Sequence, residues 1–85
     1  MKQSSKRWKV LVGNYKGEKN ITASPTQILT SLELVHEYMN ETNNPADISD
    51  HMKDWVVKRT GCSPTLAYDT VIHGVKFNNW MNQKS

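Results

Sequence analysis

Little in this 85-residue sequence serves as a covalent or conformational staple: it has one cysteine, three prolines and four glycines. Each scarcity excludes something. A lone Cys62 cannot close an intramolecular disulfide, and a single free thiol fits a reducing compartment. The apolar run nearest the N-terminus, Val10-Leu11-Val12, is too short for a signal-peptide core or a membrane span. The expectation is therefore a cytoplasmic protein with no membrane partner. Four scattered glycines form no phosphate-cradling loop. No convergent set of acid, base and nucleophile stands out, so no enzyme, no catalytic residue and no cofactor are expected. Asp47, Asp50, His51 and Asp54 are spaced as if on one helix. Helix capping and the helix dipole already explain the two aspartates nearest the start, and no metal site is expected.

What is present must fill a thin core. A chain this short buries only about 60% of the surface it exposes when unfolded. Three Trp, three Tyr and one Phe therefore carry much of the burden, at roughly 150–250 Å² each. Four Met supply adaptable filler. The formal charge is +3, distributed unevenly. Residues 1–19 hold six Lys/Arg and one Glu, residues 20–50 hold five acids and no Lys or Arg, and residues 51–85 hold five bases and two acids. A polyanion would meet the two ends and be repelled by the middle.

Taken in order, the chain predicts a single domain over 1–85 of class α+β, mainly α. A flexible basic arm is expected over 1–7. An N-terminal β-hairpin is expected over 8–23. Trp8 to Val12 is rich in β-formers, Gly17 is placed to supply a positive φ in the turn, and Asn20 to Thr22 returns as a short strand. A helical core over 24–82 follows, with three main helices. Ser24-Pro25-Thr26-Gln27 combines an N-cap, a first-turn proline and a capping-box residue. Ile28, Leu32, Val35 and Met39 then mark one buried face out to about Asn40. Pro45 ends that segment. A second helix is expected from about Asp47, with Ile48, Met52, Trp55 and Val56 facing inward and Lys58 and Arg59 near its C-terminal dipole. Gly61 stands where a left-handed C′ residue belongs. Ser63-Pro64-Thr65 repeats the start signal. Ala67, Val71 and Val75 would face the core, and Gly74 is expected to end the third helix.

The stretch Gly61-Cys62-Ser63-Pro64-Thr65-Leu66-Ala67-Tyr68-Asp69-Thr70-Val71, with the helix before it from Ile48, resembles the turn and second helix of helix-turn-helix DNA-binding domains. In that family a Gly opens the turn, a small apolar residue follows, and a Ser or Thr caps the recognition helix. Apolar residues six and ten places after the Gly enter the core, here Ala67 and Val71. The place four before the Gly, usually a small Ala, is Val57. The resemblance implies a small DNA-binding regulator of transcription, of phage or mobile-element type, with double-stranded DNA as partner and dimerisation as the usual remedy for a small contact area. It implies that Thr65, Tyr68, Asp69 and His73 face the bases. Lys53, Lys58, Arg59, Ser63 and Lys76 would contact phosphates, joined by Lys6 and Arg7 from the arm. Arg, Asn and Gln, the usual bidentate base readers, are missing between Ser63 and Val75.

A second reading makes the protein a docking module, an inhibitor or adaptor seated on a host protein. Its working surface would be the acidic row Glu33, Glu37 and Glu41, with Tyr38 and other aromatics as anchors. Like charges at i, i+4 spacing cost a few tenths of a kcal/mol per pair, so the row asks for an explanation.

Overall fold

The computed structural model describes residues 5–84. Over them the chain forms four helices, α1 (Ser5–Lys19), α2 (Pro25–Thr42), α3 (Asp50–Thr60) and α4 (Pro64–Lys84), and no strand. The expected α+β class is thus corrected to all-α, because the hairpin expected over 8–23 is a helix. Trp8, Leu11, Val12 and Tyr15 fall at i, i+3, i+4 and i+7, which is one helical stripe. Val12 and Tyr15 are buried along it, while Val10 is 63% exposed. A strand would have put Val10 and Val12 on the same face. Gly17 lies inside the helix, and the positive φ falls instead at Asn20 (54°), just past its end. The expected basic arm over 1–7 overlaps this helix at its end. Lys6 and Arg7 belong to the first turn of α1, and its earlier part, with Lys2, lies outside the described residues.

The later caps follow from local chemistry. Ser24 Oγ accepts from the backbone N–H of Gln27 at 3.1 Å, and Asn43 in the left-handed region closes α2. Ser49 Oγ accepts from Met52 N–H at 3.2 Å, so α3 begins at Asp50 rather than Asp47. Ile48 is left in the preceding loop, outside the core. Gly61 (φ 77°) closes α3, its N–H donating to Val57 O at 2.8 Å. Ser63 Oγ takes the N–H of Leu66 at 3.2 Å.

The spine is an antiparallel pair. Ile28 and Leu32 near the start of α2 pack with Phe77 and Trp80 near the end of α4, while Val35 and Tyr38 pack with Ala67 and Val71 at its start. Gly74 does not end α4 but sits at the point of closest approach, buried against Ser31 and Val35. Two core clusters flank it. Val12 and Tyr15 of α1 complete one, and Met52 and Val56 of α3 complete the other. Among the described residues α1 and α3 do not pack on each other.

Candidate nucleic-acid interface

The joint between α3 and α4 is three residues long, Gly61-Cys62-Ser63. Cys62 is half-buried and packs on the second cluster. Ala67 and Val71 turn inward, as does Val75. That leaves one side of α4 turned outward from Thr65 to Gln83, its later part bordering α1. Thr65, Tyr68, Asp69, Lys76, Asn79 and Gln83 are all exposed, and Ile72 between them is half-exposed. They recur at intervals of three, four or seven, which is one face of a helix about 30 Å long. Of the residues expected to face bases, Thr65, Tyr68 and Asp69 share this face. His73 is half-buried at its margin.

The expected phosphate contacts divide sharply. Arg59 is held by two carboxylates, at 2.8 Å from Glu37 Oε1 and 2.7 Å from Glu41 Oε2, with its guanidinium 5.7 Å from the Trp55 ring centroid. Lys53 lies 3.6 Å from Asp54 and 3.9 Å from Asp50. Both cations are therefore met inside the molecule. Lys58 and Lys76 are exposed, and the ion pairs among the described residues include neither. Ser63 is exposed but its hydroxyl caps α4. Lys6 and Arg7 are exposed on the first turn of α1, roughly 20 Å along that helix from its last turn.

The same pairing accounts for the acidic row. Arg59 bridges Glu37 and Glu41 and so cancels the repulsion between them, leaving Glu33 as the exposed member of the row with no ion pair among the described residues. Tyr38 is corrected outright as a surface anchor. It is 2% exposed, edge-on to Trp55 at 5.5 Å and to His51 at 5.8 Å. Because the Arg59 bridge is half-exposed, its worth is bounded by that of surface ion pairs. Arg59→Ala is expected to lower stability by no more than about 1 kcal/mol, with the loss shrinking in high salt, as read by urea melts at two ionic strengths. A salt-independent loss would show that packing on Trp55, not charge, is what the arginine supplies.

Sequence reasoning missed Lys19, Asn79 and Gln83. Ending the helix at Gly74 hid the last two. The available signal was the stripe Ala67, Val71, Gly74, Asn78 and Met81, spaced four, three, four, three, which keeps an α4 core face running past the glycine. Lys19 projects from the last turn of α1 into a cleft shared with Lys76, Asn79 and Gln83. Tyr15 and Trp80 form part of its floor, and burial pushes the Tyr15 phenol above its usual pKa. Trp80 Nε1 donates to Glu18 Oε2 at 3.3 Å.

Among the described residues no group of three or more His, Cys, Asp or Glu is placed to hold a metal ion, and no helix is long and apolar enough to cross a membrane. No protein-family model, curated protein or solved structure matches the chain.

Proposed function

We propose that the protein binds double-stranded DNA, laying the outward face of α4 into the major groove. The observation that carries this reading is the outward face from Thr65 to Gln83, exposed at Thr65, Tyr68, Asp69, Lys76, Asn79 and Gln83 and half-exposed at Ile72. The groove is wide enough to admit a helix. Thr65 and Tyr68 supply hydroxyls and an aromatic edge near the start of the helix. Asn79 and Gln83 add the bidentate amides that pair with adenine. Asp69 meets a cytosine amine, the one base-edge donor that welcomes a carboxylate there. Lys58, Lys76 and Lys19 take phosphates, and Arg59 and Lys53 do not. Dimerisation, with two copies reading adjacent half-sites, remains part of the proposal as the usual way a module this small gains contact area. The docking-module reading has lost its anchors, since Tyr38 is in the core and two of its three glutamates already hold Arg59.

A gel shift with mixed duplex DNA tests the proposal. Three phosphate contacts per copy, at roughly −0.9 each, predict that log K falls against log salt with a slope of about −3 for one bound copy and about −5 for a dimer. Lys58→Ala is expected to weaken the retarded band and flatten that slope by about one per copy, while Arg59→Ala leaves both nearly unchanged. A band that responds to Arg59→Ala and not to Lys58→Ala reverses the assignment. Absence of any band at low salt ends the reading.

A further inference from the structure

We propose that the cleft between the C-terminal ends of α1 and α4 binds a phosphate monoester carrying a flat heteroaromatic body, the chemistry of a mononucleotide. The cleft measures about 410 Å³, within the ~300–1,000 Å³ range of small-ligand sites. Its lining is more polar than that class usually is, three apolar or aromatic residues beneath four polar ones. Tyr15, Ile21 and Trp80 make the floor, and Lys19, Lys76, Asn79 and Gln83 make the rim.

Charge selects an anion. Lys19 and Lys76 line the same cleft from different helices, and the ion pairs among the described residues include neither. Two helices end here, and each C-terminus contributes roughly half a negative charge. Glu18, bonded to Trp80 Nε1, lies outside the cleft lining and is offset by Lys16 at the wall, so the two rim ammonium groups still outweigh the two dipoles. A dianionic monoester satisfies both cations, which a single carboxylate does not. The two amides each offer donors and an acceptor, which suits the polar edge of a base better than more phosphate.

The wall is also set before anything binds. Lys16 Nζ donates to the carbonyl oxygens of Ile21 and Ala23, and Ile21 N–H donates back to Lys16 O at 3.2 Å. The segment after α1 is thereby tied to its last turn, and a pre-ordered wall costs less entropy on binding. The cleft shares Lys19, Lys76, Asn79 and Gln83 with the proposed duplex-binding face, so nucleotide and duplex would compete there, but a failed gel shift does not decide whether the nucleotide binds.

The same phosphate chemistry arises on a free nucleotide and at the 5′ end of a single strand, so both are tested on the full chain. Adenosine monophosphate, inorganic phosphate and a 5′-phosphorylated four-nucleotide thymidine strand are titrated separately, following the ¹⁵N–¹H signals of Lys19, Lys76, Asn79 and the Trp80 indole. Saturation by the nucleotide or by the strand is the expected result, and which of them saturates identifies the source. Lys19→Gln with Lys76→Gln is expected to weaken it at least about thirty-fold, from losing two charge-assisted contacts. Asn79→Ala is expected to weaken the nucleotide several-fold and leave inorganic phosphate unchanged. These positions are exposed, and a circular dichroism spectrum matching the parent's is the check that each variant folds. Three outcomes overturn the proposal: neither nucleotide nor strand saturates by about 10 mM, a weak limit on the affinity scale; inorganic phosphate binds as tightly as the nucleotide; or the double lysine variant binds unchanged.

Discussion

Phe77→Ala is expected to cost about 3–5 kcal/mol, a large part of the ~5–15 kcal/mol that a domain of this kind has in total. Phe77 is fully buried. Its ring centroid lies 5.1 Å from that of Tyr15 and 6.1 Å from that of Trp80, the second pair nearly parallel. Val12, Ile28 and Leu32 belong to the same cluster, so the cavity left by truncation touches α1, α2 and α4 together. Tyr15 and Trp80 are too large to swing into it without vacating their own places, so the site collapses poorly. The effect has a location as well as a size. This cluster is where α1 joins the molecule, through Val12 and Tyr15, so amide exchange in the variant should quicken in α1 well before α3. Val10→Ala, at an exposed position of the same helix, is the control and should change stability by less than about 0.5 kcal/mol. A denaturant midpoint for Phe77→Ala close to that of the parent would mean that the aromatic cluster is not what holds α1.

That placement of Phe77 was invisible to a reading that stopped the helix at Gly74. What could be read from sequence was chemistry confined to a few neighbouring residues. Ser24-Pro25 opens a helix because a hydroxyl, a fixed φ and a free N–H lie within four residues. Gly61 closes one because the stop between two apolar stripes takes a left-handed backbone, which glycine adopts without a Cβ clash. The errors arose where tertiary packing overrode local preference. Trp8 to Val12 carries β-forming side chains, yet the stripe through Trp8, Leu11, Val12 and Tyr15 buries more against Phe77 and Trp80 than an isolated hairpin could, being marginal by itself. Gly17 looked like a turn because glycine tolerates one, but tolerance is not a requirement. The interface suffered in the same way. Lys58 and Arg59 are adjacent and chemically alike in sequence. Only the fold brings Glu37 and Glu41, from eighteen or more residues away, onto one of them. Asn79 and Gln83 became candidates for base contact only once α4 was seen to continue.

Gly74→Ala is expected to destabilise the protein by roughly 1–3 kcal/mol, the usual cost of overpacking, although the same change in an exposed helix would stabilise by close to 1 kcal/mol. An added Cβ at residue 74 would come within 2.6 Å of Ser31 O and 2.6 Å of Val35 Cγ2. The valine methyl can move. The carbonyl oxygen is part of the α2 backbone and can retreat only if the helix does, and the crossing of α2 and α4 is the axis on which both core clusters are built. Gly74→Val should therefore cost more again, because its two methyl groups extend the clash along the crossing. Gly13 and Gly17 give the opposite sign. Both are helical, and an added Cβ meets nothing within 4 Å, so alanine at either should raise the melting temperature. At roughly 4–8 °C per kcal/mol for a domain of this size, thermal melts of the three alanine variants separate the cases. A lower melting point at 74 with higher ones at 13 and 17 fixes Gly74 as the contact that sets the distance between α2 and α4. Were Gly74→Ala to melt higher as well, the two helices would have slack between them. The outward face of α4, whose orientation depends on that crossing, would then not be held rigidly enough to present Thr65 through Gln83 as one reading surface.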